Sequence, residues 1–504
     1  MRIGLWLTSF VAILAVATRA SADGAPLQVE RLHVAGRVLA VHAEDIDHDG
    51  RRDLVVVVGT GAPPQLMRRV AIFFAHGGRY SPEPDQLIAP PAGAAFVDLG
   101  DVDGDGRRAL IFGDARGLGM FHLGSDGRLE TTPRRLAEVR GLLALPDDED
   151  LPFVDVMRDW NGDGRDEIVL PLADRTTVLA RAADGAWGRA VDLKLPPRAS
   201  YAVRPELYEP RLRNFAVRAT LTVPELTAAD WDGDGKLDLV AVVDELLQVH
   251  AGGKGGALYS PVAAARILLG NRSAAEAERG SAHLSTVVRD LDGDGVADLA
   301  VNKITGGLGQ MRAETAFHYG RRGGGWGAPQ QILEREGYAG ALAFADLDGD
   351  GRPDLVSPHA DVGLGEMARV LLSKRMAVGF EVRRNLGRGF SPAPDAVRDI
   401  DFAVDYSVVA DLEGAYPSVQ GDFNGDGKAD FIGQYGKDGL GVWLGGGKGL
   451  LAADPKAVVR VPPSRYFLVT DLDGDRRADV VMFYRWREGM TGSILVLRNT
   501  GQGW

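Results

Sequence analysis

Short apolar segments of period two recur along the chain, paired around an aspartate-rich connection. Before it, segments such as Val38–Asp45, Ala341–Asp346 and Tyr466–Asp471 alternate apolar and polar positions. After it come apolar, β-branched runs: Leu54–Val58, Ile168–Leu170, Leu239–Val243 and Val480–Phe483. Both patterns predict strands, so the connection joins neighbouring strands of one sheet. A third strand is predicted at Val70–Phe74, Ala316–Tyr319 and Val442–Leu444. It is often introduced by Gly-Leu-Gly, as at Gly117, Gly307, Gly363 and Gly439. A glycine-rich turn then leads to an aromatic residue (Tyr80, Trp187, Tyr259, Trp326 or Phe390), and a fourth strand such as Gln330–Leu333 closes the unit.

The connection occurs eight times, beginning at Asp45, Asp101, Asp159, Asp230, Asp290, Asp346, Asp422 and Asp471, with steps of 49 to 76 residues. Four short strands per repeat of this length make a propeller blade. The fold expected is all-β: one closed β-propeller of eight four-stranded blades, with seven blades and an accessory unit as the alternative. The last repeat ends at Trp504, where its fourth strand would begin. A spare strand at Gln28–Val34 precedes the first connection and is expected to complete blade eight and latch the ring. Closure removes the exposed sheet edges that invite aggregation.

Each connection places oxygen-bearing side chains at positions 1, 3, 5 and 9 around a glycine hinge, a hard cage suited to calcium. The first supplies Asp45, Asp47, Asp49 and Asp53, with a backbone carbonyl from Arg51 and a hinge at Gly50. The second has Asp101, Asp103 and Asp105, but Ala109 stands at position 9, so this site is expected to be weak or empty. The third has Asp159, Asn161, Asp163 and Glu167; the fourth Asp230, Asp232, Asp234 and Asp238. The fifth has Asp290, Asp292, Asp294 and Asp298; the sixth Asp346, Asp348, Asp350 and Asp354. The seventh has Asp422, Asn424, Asp426 and Asp430; the eighth Asp471, Asp473, Asp475 and Asp479. Asn161 and Asn424 each remove a charge, and Arg476 replaces the eighth hinge glycine where a positive φ is costly. Position 2 is apolar throughout (Ile46, Val102, Trp160, Trp231, Leu291, Leu347, Phe423, Leu472) and is expected to face the blade core, while His48 faces solvent. Several calcium ions per chain are expected, structural rather than catalytic, because a catalytic metal usually occurs once with an open position.

The formal charge of −13 is lodged in these loops. Without the first 22 residues, which carry Arg2 and Arg19, it becomes −15. Twenty-nine acidic side chains occupy ligand positions, leaving +14 for the remainder. Eight divalent ions would bring the total to about +1, so the acidity says little about partners. Residues 1–22 read as a signal peptide: Arg2, an apolar run Leu5–Ala17, and a small-x-small site at Ala20-Ser21-Ala22. The propeller is assigned to 23–504, with no transmembrane span and a secreted or periplasmic location expected. There is no cysteine, which excludes disulfides and thiolate chemistry and leaves metal as the available staple.

The eight D-x-[DN]-x-D-G-x-x-[DE]-type loops and their flanking strands resemble the FG-GAP/VCBS repeat family, whose relatives include the integrin alpha-chain propellers. The resemblance covers nearly all of 23–504. Of the name-giving motif only Gly61-Ala62-Pro63 matches the second half, which places the chain nearer VCBS-type bacterial repeats. The resemblance implies a calcium-stabilised propeller outside the cytoplasm and no specific activity.

Antiparallel blades would place all eight metal loops on one face and the between-blade insertions on the other, where binding evolves. One insertion, Arg198–Thr220, interleaves Arg198, Arg204, Arg211 and Arg213 with Tyr201 and Tyr208. These could hold an acidic sugar, a phosphate or an acidic protein surface, or form an extended hairpin with solvated arginines. A second, Arg369–Asn385, reads as an extra strand pair, and Asp401–Tyr416 as an acidic, aromatic connection. The nine histidines form no HExxH pair, and GxSxG and phosphate-loop motifs are absent. No basic stripe indicates nucleic acid. The function expected is a non-enzymatic binding or adhesion module for an extracytoplasmic protein or carbohydrate. The alternative is a lyase-like, polysaccharide-active enzyme, which would need a base and a neutralising cation in one groove.

Overall fold

A computed structural model of the chain describes residues 25–61, 66–144, 150–182, 184–203, 217–253, 258–270, 283–307, 310–361, 363–405, 411–447 and 449–504. Residues 1–22, expected from sequence to be a signal peptide, and Arg204, Tyr208, Arg211 and Arg213 lie outside them. The described strands form eight antiparallel blades and one separate ribbon. Blade one is Arg37–Glu44, Asp53–Thr60, Met67–Phe73 and Gln86–Ile88, and blades two, three, four, five and seven repeat its order. Blade eight orders Phe467–Thr470, Asp479–Phe483, Ser493–Asn499 and then Leu27–His33. The N-terminal strand is thus the latch expected from sequence, running antiparallel with Leu27 opposite Asn499 and His33 opposite Ser493.

Eight hydrophobic clusters lie between consecutive blades, one at each interface, and together they are the core. Strand Asp53–Thr60 shows why the sequence reads as a continuous apolar run. Val55 and Val57 pack toward blade two, while Leu54, Val56 and Val58 pack toward blade eight. Both faces of the blade are covered, so period two persists in direction though not in polarity. The position-2 residues are all buried, from 0% exposure at Ile46 to 8% at Trp231.

Blade six departs from the pattern. Its first strand is split into Tyr338–Ala339 and Ala343–Ala345, followed by Asp354–Ala360, Arg375–Arg383, Ala396–Asp405 and Asp411–Glu413. The extra strand pair expected over Arg369–Asn385 is not there. Leu364–Ser373 is a helix, and Arg375–Arg383 is the blade's own third strand. The Gly-Leu-Gly at Gly363 opens this helix rather than a strand: Glu366 sits in its first turn and Val370 is buried, a helical spacing that the short apolar run concealed. Among the described residues no helix is long and apolar enough to cross a membrane.

Candidate metal loops and ligand face

In every blade the ninth loop position is the first residue of the second strand: Asp53, Ala109, Glu167, Asp238, Asp298, Asp354, Asp430 and Asp479. The loop is folded by its own carboxylates. The position-1 aspartate accepts N–H bonds from the hinge, as Asp346 does from Gly349 (2.7 Å), Asp350 (3.2 Å) and Gly351 (2.8 Å). The position-5 aspartate accepts from the position-7 N–H, as Asp49 does from Arg51 at 2.9 Å. The position-9 carboxylate is buried and bonded on both oxygens. Asp53 accepts from Ile46 (3.0 Å) and from Ala75 at the end of the third strand (2.8 Å), and Asp298 does the same with Leu291 (2.8 Å) and Gly320 (2.7 Å). It therefore ties loop, second strand and third strand together.

Five loops bring three carboxylates within 4.8 Å of one another: Asp45/Asp47/Asp53, Asp230/Asp232/Asp234, Asp290/Asp292/Asp294, Asp346/Asp348/Asp354 and Asp471/Asp473/Asp479. Three of these use positions 1, 3 and 9, and two use positions 1, 3 and 5. Burial pushes the carboxyls of Asp53 and Asp479 up to about 7 and those of Asp298 and Asp354 up to about 6, aided by neighbouring aspartates and opposed by backbone N–H bonds. Asp47 is raised too, by burial and then by Asp49 and Asp45, and its Oδ1 is buried without a hydrogen-bond partner. Converging, oxygen-only, mutually repelling groups with an orphaned oxygen fit a hard divalent cation.

A model of FG-GAP-like repeats matches residues 45–112 and 290–357, each match opening on the first aspartate of a loop. The chain is an FG-GAP-repeat propeller. No curated protein matches it. Among solved structures it is similar to an Agrocybe aegerita lectin that recognises non-reducing terminal N-acetylglucosamine (16% identity, 91% of this chain, 95% of that chain, TM-score 0.43). It is also similar to an exotype rhamnogalacturonan lyase (13%, 94% and 76%, TM-score 0.36) and to the V. cholerae biofilm matrix protein Bap1 (15%, 92% and 78%, TM-score 0.30).

The loops of this FG-GAP propeller are linked into a circle. The position-8 N–H reaches the preceding blade's loop carbonyl at Arg108→Ile46 (2.8 Å), Ala297→Asp230 (2.7 Å), Ala429→Asp346 (2.7 Å) and Ala478→Asp422 (2.8 Å). Arg52→Leu472 (2.9 Å) closes the circle from blade one to blade eight. Elsewhere side chains stand in. Asp166 accepts from Asp101 N–H at 2.9 Å, and the Tyr259 hydroxyl donates to the Trp160 carbonyl. Pro353 has no N–H, and there Asn385 Nδ2 donates to both Leu291 O (2.7 Å) and Pro353 O (2.9 Å).

Sequence reasoning missed the cations around the loops. Arg388 pairs with Asp292 (2.8 Å) and Asp294 (3.2 Å) of the preceding blade, Arg384 with Asp348, and Arg498 with Asp473 (3.6 Å) and Asp479 (3.5 Å). In loop two, which lacks the ninth carboxylate, His122 pairs with Asp103 at 2.6 Å. In loop three Asn161 donates to Glu167 at 2.9 Å, and in loop seven Lys428 pairs with Asp426 at 3.0 Å. A signal was present: Arg384-Asn385-Leu386-Gly387 and Arg498-Asn499-Thr500-Gly501 share the pattern R-N-x-G after a third strand. Asn499, like Asn385, donates to two loop carbonyls, Phe423 O (2.8 Å) and Ala478 O (3.1 Å).

The basic insertion forms a two-stranded ribbon, Arg198–Val203 against Val217–Thr222, with Tyr201 opposite Ala219. Arg198 is paired with Asp244. Of the predicted ligand group, only Arg198 and Tyr201 fall within the described residues.

A larger concavity occurs at blade six, on the ends of the strands remote from the loops. Its volume is about 780 Å³, and Arg312, Arg335, His359, Glu366, Arg369 and Asp399 are among its lining. An apolar cleft of about 360 Å³ adjoins it, with His359 and Ala360 common to both and Tyr338, Met376, Phe380 and Tyr416 along its walls.

Proposed function

We propose that this protein is a calcium-stabilised propeller, exported from the cytoplasm, that acts as a binding module for an extracytoplasmic carbohydrate or protein. The observation that carries this is the circle of eight hydrogen-bonded loops, five with converging carboxylate triads, at one end of the blades. Calcium at these triads would offset the repulsion that now raises their carboxyls, and would stiffen the blade hairpins in a chain without disulfides. Loops one, four, five, six and eight would hold the ions through the residues named above. Loops three and seven would bind more weakly, and loop two would remain with its histidine pair. Export rests on the apolar N-terminal run ending at Ala20-Ser21-Ala22. The irregular segments, helix Leu364–Ser373 and ribbon Arg198–Thr222, leave the opposite end as the ligand face.

Calcium content after exhaustive dialysis and thermal unfolding with calcium or chelator test the scaffold. About five tightly held ions per chain and a melting temperature lowered by 10 °C or more on chelation are expected. An unchanged melting temperature refutes the metal role. A glycan and protein array probed with and without calcium tests the binding role, with calcium-dependent signal expected.

A further inference from the structure

Loops one, six and eight bring together the same three ligand positions: Asp45/Asp47/Asp53, Asp346/Asp348/Asp354 and Asp471/Asp473/Asp479. At position 5 they are also alike, with Arg51 on Asp49, Arg352 on Asp350 and Arg477 on Asp475. They differ in one neighbour. Each position-9 carboxylate accepts an N–H bond from the end of the third strand, given by Ala75 (2.8 Å), Asn385 (2.8 Å) and Asn499 (2.6 Å) in turn. The residue just before that donor lies across from position 9, because Leu54 opposes Phe73, Leu355 opposes Arg383 and Val480 opposes Leu497. Opposed residues project from the same sheet face. In loop one this residue is the buried Phe74; in loops six and eight it is Arg384 and Arg498.

The two arginines reach the same ligand. Arg384 pairs with Asp348, and Arg498 stands 3.6 Å from Asp473 and 3.5 Å from Asp479. Asp348 and Asp473 both hold position 3. In loop one that position is Asp47, whose Oδ1 is buried without a hydrogen-bond partner. Among the described residues no ion pair reaches Asp45, Asp47 or Asp53. Arg498 is the sharper case. Its side chain is 8% exposed, its Nε and Nη2 are buried without hydrogen-bond partners, and the carboxylates it pairs with are two ligands of loop eight. A buried guanidinium needs those anions. An ion that claims them strips Arg498 of its compensation and meets a like charge beside the cage. Arg384 is 32% exposed, so water shares its charge and its opposition is milder. In loop five the equivalent residue is Tyr319, and the nearby Arg388 comes from the next blade and is 62% exposed, hence largely screened.

We propose that this third-strand position grades the ion affinity of the loops: Phe74 leaves loop one uncompensated and tight, while Arg384 and Arg498 serve as built-in counter-cations that weaken ion binding in loops six and eight and steady those loops when they are empty. The grading rests on the calcium reading of the loops. All five ions still withstand dialysis; the arginines set the order in which chelator removes them, loop eight first. Loop eight belongs to the blade that the latch strand closes, so ring closure depends least on calcium.

The test is competition of the full chain against a calcium-chelating dye, with thermal unfolding in calcium and in chelator. Arg384→Gln and Arg498→Met should each tighten one of the five ions about tenfold. Each should also lower the melting temperature in chelator and leave it near wild type in calcium. Arg384→Lys keeps the charge and should behave as wild type in both. An arginine that only orients Asp348 toward the ion predicts the reverse, a weaker ion on its removal. Unchanged or weakened affinity in Arg384→Gln therefore overturns the proposal, and this half-buried position keeps the test decisive should Arg498→Met not fold. A wild-type chain that binds no calcium overturns the metal reading as well; calcium bound with affinities that neither variant moves overturns the grading alone.

Discussion

At the scale of single residues, the loops show how much strain one position can carry. Arg476 adopts φ 68° where seven other loops place glycine at 84° to 86°. Its N–H still reaches Asp471 Oδ2 at 2.8 Å, so the hydrogen bond holds the residue in a conformation that L side chains disfavour. Arg476→Gly should stabilise the protein by about 1 kcal/mol, seen as a raised urea midpoint in calcium. Asn385 presents the opposite case. It is 1% exposed, and both its N–H bonds end on carbonyls of different loops. Asn385→Ala leaves those buried oxygens without a donor and should cost about 2 kcal/mol, measured the same way. The first effect was legible in the sequence, because a hinge glycine was visibly replaced. The second was not, because Asn385 stands 31 residues beyond Asp354 and its R-N-x-G pattern does not name the loops that it reaches.

At the scale of elements, strand and loop boundaries followed the hydrophobic alternation closely. The ninth loop position proved to be where each second strand begins, so the ligand pattern also fixes strand register. The latch strand buries Leu27 at 3% and Leu32 at 2% exposure against blades seven, eight and one. Deleting residues up to His33 should lower stability by roughly 4 kcal/mol through those two side chains, and should expose the edge of Ser493–Asn499. A lower melting temperature with concentration-dependent light scattering is the expected readout. The helix Leu364–Ser373 escaped the sequence reading because ten residues span fewer than three turns, and its Leu371 and Leu372 are exposed rather than part of an apolar stripe.

At the scale of the whole molecule, the ring gathers like charge at one end, which makes stability depend on pH in a definite direction. Asp53, Asp479 and Glu167 sit near 7 and Asp298, Asp354 and Asp430 near 6 in the ion-free protein, all above their unfolded values. The folded state therefore holds more protons than the unfolded one between about pH 4 and pH 7, and ion-free stability falls as pH rises through that window. Bound calcium would reverse the preference by favouring the carboxylates. The melting temperature in chelator should rise from pH 7.5 to 5.5, while the increment due to calcium shrinks. Equal pH profiles with and without calcium would contradict this account.

The sequence by itself determined the repeat, the blade count, the latch strand, the buried position-2 side chains and the carboxylate pattern. All of these depend on spacing within a few residues or on a period that recurs along the chain. Only the tertiary structure decided which loops bring three carboxylates within 4.8 Å, which arginines of a neighbouring blade approach them, and that Arg384 and Arg498 stand across from position 9 where loop one has Phe74. Those relations run across strands. Their register is set by turn lengths and by an inserted helix, and neither periodicity nor motif spacing records it.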